Sequence, residues 1–200
     1  MAIDPSAVKK LREETGAGVL DCKKALDDAG GDLDKAREWI RKRGLEIAKK
    51  KGERQTKEGR VGHYVHSNAK IGVLVELRCE SDFVARTPEF NDLLKELCMQ
   101  VAGAPTPAIA VAREEIPPET VERKKGEFLN EVPAEKRGSA QMVERIVQGK
   151  MEKFFKDSCL LDQLSIRDDS KTVRELLQAT VHKLGENISI GRFARIEVGG

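Results

Sequence analysis

Residues Glu80-Ser81-Asp82-Phe83-Val84 set a carboxylate beside a large aromatic ring. On an exposed turn such a pair could push a charge and a hydrophobic wedge into a partner. Upstream, Ile71, Val73, Val75, Leu77 and Cys79 fall on one face of an extended segment, with Lys70, Glu76, Arg78 and Glu80 on the other. That period of two marks a half-buried strand. Downstream, Thr87 suits the cap of a helix that starts at Pro88 and carries Phe90, Leu93, Leu94, Leu97 and Val101 as its apolar stripe. The acid and the ring thus occupy a strand-to-helix connection, a surface position where rigid scaffolds present functional groups. The same residues also fit a purely structural role, with the Phe in the core and Ser-Asp as a local cap. The spacing does not decide between the two.

Other chemistries find less support. The chain has no GxxxxGK[ST] loop, no GxGxxG and no GxSxG. Cys22, Cys79, Cys98 and Cys159 are widely spaced with no CxxC pair, so neither a zinc site nor a thioredoxin-like motif is expected. Cys79 and Cys98 read as small buried hydrophobes. His63 and His66 would point to opposite faces of a strand, and His182 stands alone in a helical pattern. No metal, cofactor or catalytic site is expected. Aromatics make up 4% and charged residues 35%, which suits a binding protein better than a catalyst of bond chemistry.

Charge and hydropathy narrow the class further. The 36 basic and 34 acidic residues leave a net charge of +2, too balanced for a dedicated nucleic-acid binder. No apolar run approaches the roughly 20 residues of a membrane helix. Met1-Ala2-Ile3-Asp4-Pro5 has neither the basic start nor the apolar stretch of a signal peptide. These features predict a cytoplasmic protein without structural disulfides.

The elements around the motif divide the chain. Residues 4–15 predict a short helix capped by Asp4 or Ser6, with Val8 and Leu11 inward. Gly16 and Gly18 break it. A second helix follows from Val19 to Ala29, with Leu20, Cys22, Ala25, Leu26 and Ala29 available for packing, and Gly30 ends it. Asp32 caps a third carrying Leu33, Ala36, Trp39 and Ile40. After Gly44 the pattern fades into the basic stretch Lys49–Arg60, which lacks aromatics for base stacking and reads as a solvated helix end and linker. Residues 1–52 then form a three-helix domain, 53–60 a basic linker and 61–200 an α+β core.

In that core, residues 60–66 and 70–80 predict a hairpin through Ser67-Asn68. Gly103-Ala104-Pro105-Thr106-Pro107 ends the next helix, and Pro117-Pro118 opens another helical stretch. A longer helix covers 140–155 with Met142, Val143, Ile146, Val147, Met151 and Phe154. A last helix spans 172–184, followed by a strand over 187–198 in which Ile188, Ile190, Ala194, Ile196 and Val198 alternate. Hairpin and closing strand predict one small antiparallel sheet with packed helices, an α+β fold.

Two segments carry a family resemblance. Val8-Lys9-Lys10-Leu11-Arg12-Glu13-Glu14-Thr15-Gly16-Ala17-Gly18, followed by Asp21-Cys22-Lys23-Lys24-Ala25-Leu26, resembles the opening of the bacterial elongation factor Ts family. Glu80-Ser81-Asp82-Phe83-Val84-Ala85 is similar to that family's Thr-Asp-Phe-Val motif. Residues 143–163 and Gly185-Glu186-Asn187-Ile188 also look like family segments, so the likeness runs over essentially the whole chain. It implies a ubiquitin-associated-like N-terminal domain. It also implies a guanine-nucleotide exchange factor for the GDP-bound form of elongation factor Tu in protein synthesis, not an enzyme. Ser81, Asp82, Phe83 and Val84 would disturb the Mg²⁺ and phosphate site of that GTPase, and Val19 and Leu20 would contact it from the N-terminal domain. No direct nucleic-acid or membrane binding is implied. Longer members carry two related core subdomains where this chain supplies one, so a homodimer is expected. Ser81 replaces the usual Thr, Val19-Leu20 stand where two methionines are common, and Leu164 stands where Pro is usual. A ubiquitin-type adaptor would rest on the three-helix domain alone, and an RNA-binding protein on the basic linker.

Overall fold

A computed structural model describes residues 4–136 and 138–199; Met1–Ile3, which opened the N-terminal reading, lie outside the described residues. The first three helices are α1 (Pro5–Thr15), α2 (Val19–Asp28) and α3 (Leu33–Lys51). Asp4 caps α1 by accepting from the Ser6 N–H at 2.9 Å, and Asp32 accepts from the amides of Asp34 and Lys35 at the head of α3. Val8, Leu11, Cys22, Ala25, Leu26, Ala36 and Ile40 close a small core of their own. Leu20, expected to be available for packing, instead points to solvent, because the α2 stripe that meets α1 and α3 is Cys22, Ala25 and Leu26. Helix α3 continues past Gly44 to Lys51, and its three terminal lysines lie at the end where carbonyl dipoles favour cations.

The core begins with β1 (Glu58–Val65) and β2 (Ile71–Cys79), then α4 (Asp82–Ala85) and α5 (Pro88–Gly103). Strand β1 starts at Glu58, so the last three residues of the linker expected over 53–60 are already paired, with Glu58 opposite Cys79. Next come α6 (Pro118–Asn130), α7 (Ala140–Ser158), α8 (Val173–Leu184) and β3 (Ile188–Glu197). The sheet is antiparallel in the order β1-β2-β3. Val73, Val75, Leu77 and Cys79 point into the core against Phe90, Leu93, Leu94, Leu97, Cys98 and Val101 of α5, as the alternation predicts. Gly62 lets α5 approach the sheet: a Cβ there would lie 2.6 Å from Leu94 Cγ. Helices α6 and α7 form a hairpin around Val132, Val147 and Met151, from which Met142, expected on the apolar stripe, is exposed.

Strand β3 departs from simple alternation. Leu77 pairs with Ile190 but Val75 with Phe193, so Gly191 and Arg192 together oppose the single residue Glu76. This bulge reverses the inward parity. Ile188 and Ile190 enter the core before it and Phe193 packs there after it, while Ala194, Ile196 and Val198, expected inward, are exposed. The outer face of the sheet consequently gathers Val61, Val65, Leu74, Ile196 and Val198. Among the described residues, no helix is long and apolar enough to cross a membrane.

Candidate functional site

The segment between β2 and α5 is a single helical turn held at both ends. Ser81 is its cap: its hydroxyl oxygen accepts from the Val84 N–H at 3.4 Å, while its carbonyl accepts from the Ala85 N–H at 3.3 Å. The Ser81 N–H and O–H both donate to Glu186, to Oε2 at 3.0 Å and to Oε1 at 2.6 Å. The Cys79 thiol donates to the Ser81 carbonyl at 3.1 Å. Burial, with the Glu186 charge adding to it, pushes that thiol's pKa up, so the proton stays where the bond needs it. At the far end, the Thr87 hydroxyl donates to the Val84 carbonyl at 2.8 Å and accepts from the Phe90 N–H. Asn91 Nδ2 donates to the carbonyls of Ala85 and Thr87.

This frame separates the four motif residues into two pairs. Ser81 and Val84 face the protein, and Val84 is buried with Ala85 in the main core. Asp82 and Phe83 face out. The Asp82 carboxylate accepts from Arg86 Nη2 at 2.8 Å, one turn along. Phe83 is 84% exposed, whereas Phe90, seven positions on, is fully buried. Leaving a ring in water forgoes about 1.5–3 kcal/mol of burial. The core has not claimed it, although its neighbours Val84 and Ala85 are packed.

The second candidate pair lies at the start of α2. Leu20 is 81% exposed and Val19 is 43% exposed. Val19 lines a cleft with Pro5, Val8, Arg12, Gly16 and Lys183. Lys183 of α8 also links the two regions: its aliphatic chain lies against Gly16, and its ammonium is 3.2 Å from Glu89 in the first turn of α5. Lys183 thus joins the Gly16 turn before α2 to the first turn of α5. The three-helix unit is further tied to α8 by Arg41–Glu175 at 2.9 Å and by His182 Nε2 to Asp21 at 3.3 Å, with Gly44 against the imidazole. His182, alone in the sequence pattern, belongs to this contact.

A third contact joins the end of α3 to the motif. Gly185 ends α8 with φ of 79°, and the chain then turns through Glu186 and Asn187 into β3. The Asn187 N–H donates to Glu80 Oε1 at 2.6 Å, and its side-chain amide donates to the Arg54 carbonyl at 2.7 Å. Lys51 Nζ donates to the Gly185 carbonyl. Burial, with Arg54 adding repulsion, pushes the Lys51 pKa down, opposed by Glu80 and Glu186. Sequence reasoning missed Glu186 as a neighbour of the motif. It lies 105 positions from Ser81, and only the closure of β3 against β2 brings it near.

The hydroxyl–carboxylate contact of the site, Ser81 to Glu186, ties the turn to the segment that enters β3. Among the described residues, no cluster of three or more His, Cys, Asp or Glu side chains could hold a metal ion. Its chemistry is a projecting ring, a neighbouring carboxylate and a rigid base, which fits insertion into another macromolecule. The sequence profile of the family described as Elongation factor TS matches residues 32–200. An elongation factor Ts of Oleidesulfovibrio alaskensis is 48% identical over 198 residues, covering 99% of this chain and 98% of its own. That of Thermotoga maritima is 49% identical over 199 residues, covering 100% and 98%. One from a Thermoanaerobacter species is 50% identical over 202 residues, covering 98% and 95%.

Proposed function

The chain belongs to the elongation factor Ts family, and from that premise we propose that it is a guanine-nucleotide exchange factor for elongation factor Tu, acting in the cytoplasm during protein synthesis. The observation that carries the reading is Phe83, exposed on a turn whose two ends are fixed. Asp82 and Phe83 enter the GDP-bound GTPase and disturb the surroundings of its Mg²⁺ and phosphates, while Ser81 and Val84 hold the turn that carries them. Mg²⁺ demands near-octahedral oxygen ligation, so a small displacement of that shell loosens its grip on GDP. Burial of the ring in the partner offsets the cost of the displaced state. No covalent bond is made or broken, so the protein is not an enzyme of bond chemistry.

Exchange then follows from linkage. If this protein binds the displaced GTPase more tightly, GDP must bind the complex more weakly by the same factor. Residues 1–52, a three-helix module of ubiquitin-associated type, supply a second contact through Val19 and Leu20. Residues 53–57 connect it to the α+β core, whose first strand begins at Glu58. The bare apolar face of the sheet supports a homodimer, since Val65, Gly72 and Ile196 form one cross-strand row and His63, Leu74 and Ala194 the next. The test is the rate at which a fluorescent GDP leaves elongation factor Tu on mixing with excess unlabelled GDP, with and without this protein. Acceleration that saturates with its concentration is expected. An unchanged rate would overturn the reading.

A further inference from the structure

Glu186 stands outside the motif yet takes both polar hydrogens of its first residue. The Ser81 N–H and O–H donate to the two oxygens of one carboxylate, at 3.0 and 2.6 Å. Because the hydroxyl proton is committed to Glu186, the Ser81 oxygen must turn a lone pair toward the Val84 N–H, which is the cap that starts α4. The Ser81 carbonyl is held in turn by the Cys79 thiol and the Ala85 N–H. Every polar atom of Ser81 therefore has a partner, and among the described residues Glu186 is the one contributor from a distant part of the chain. Charge-assisted bonds of this kind are about twice as strong as neutral ones. Glu186 is itself fixed: Gly185 closes α8 before it, and Asn187 after it is bonded to Glu80 and Arg54.

Resting on the exchange reading above, we propose that Glu186 is a positioning residue for nucleotide exchange, setting the cap at Ser81 and with it the direction in which Phe83 projects. The carboxylate touches neither the GTPase nor the nucleotide. It acts through a turn of four residues that has too few hydrogen bonds of its own to hold a bulky exposed ring in one orientation. The insertion geometry is then prepared before the partner arrives, which reduces the ordering cost of binding.

The experiment combines release of fluorescent GDP from elongation factor Tu with amide hydrogen exchange of this protein alone. Glu186→Ala is expected to lower the maximal release rate about tenfold, in keeping with loss of a charged hydrogen bond, with the half-saturating concentration moving less. In Glu186→Gln the side chain can still accept from the Ser81 N–H while donating to its Oγ, so its rate should lie between those of Ala and wild type. In a Phe83→Ala background, Glu186→Ala should cause no further loss, because the group it orients is gone. Independently of any partner, Ser81 and Val84 amides should lose protection in Glu186→Ala while Val75 and Leu77 keep theirs. Full additivity of the two substitutions, or a wild-type rate with Val84 still protected, would overturn the positioning role. Wild-type protein that leaves GDP release unaltered while Glu186→Ala frees the Val84 amide would instead overturn the exchange reading, and with it the role in exchange.

Discussion

Removing the Phe83 ring should separate function from folding. The side chain is 84% exposed, so Phe83→Ala deletes almost no buried surface and should move stability by no more than about 0.5 kcal/mol, as for ordinary surface positions. If the ring is buried in the GTPase at the moment of exchange, its loss there removes about 1.5–3 kcal/mol. At 1.4 kcal/mol per factor of ten, GDP release should slow about 10- to 150-fold. Stopped-flow release of fluorescent GDP at several concentrations of the variant measures this, and a thermal melt on the same sample checks the fold. The internal control is Phe90→Ala, seven residues on and fully buried, which should cost about 3–5 kcal/mol of stability. Wild-type release by Phe83→Ala would refute insertion. A melting shift as large as that of Phe90→Ala would refute the exposed position from which the argument starts.

Leu20→Ala, also at an exposed position, should weaken binding to the GTPase several-fold in a titration while leaving the melting temperature unchanged. Light scattering at micromolar concentration should give about twice the chain mass of 22.2 kDa; Ile196→Lys on the outer sheet face should return the single-chain mass, and a wild-type mass of one chain would end the dimer proposal. The four cysteines are free and buried, so a thiol reagent at pH 8 should react slowly with native protein and with all four after denaturation. Burial pushes Cys98 and Cys159 up to about 11 from an ordinary 9.0. The unfolded thiols lose their protons first, so this contribution to stability is complete below pH 9.0 and declines as pH rises toward 11. Urea midpoints at pH 8 and pH 10 should fall in that order, and a higher midpoint at pH 10 would contradict the sign.

Much of this architecture was legible because local rules and tertiary packing agree. Strand β2 alternates in sequence and in burial, and Thr87-Pro88 marks the first turn of α5 in both. The failures have a common cause in contacts that no local pattern encodes. A Phe directly after a strand usually turns inward, and by pattern alone Phe83 could have joined the core; Val84 and Ala85 take that place instead. Leu20 fits an apolar stripe but lies one position off the face that meets α1 and α3. Alternation in β3 continues on paper through Ala194, Ile196 and Val198, yet one added residue against Glu76 turns all three outward. Glu186 carries no signature that ties it to Ser81, since the bond depends on how β3 closes the sheet.

The bulge in β3 makes the character of a whole surface depend on chain length rather than composition. Remove one residue between Ile190 and Phe193, and every side chain beyond would rotate to the opposite face. Ile196 would then turn inward, while Phe193 and the ion-paired Arg195 would swing to the outside. The amino acids would be almost unchanged, but the outer sheet would trade aliphatic carbon for an aromatic ring and a guanidinium. Insertions and deletions in this strand are thus a lever on stickiness that substitution tables do not capture. Two relatives with the same hydrophobic content but one residue of difference here could differ in whether they pair at all.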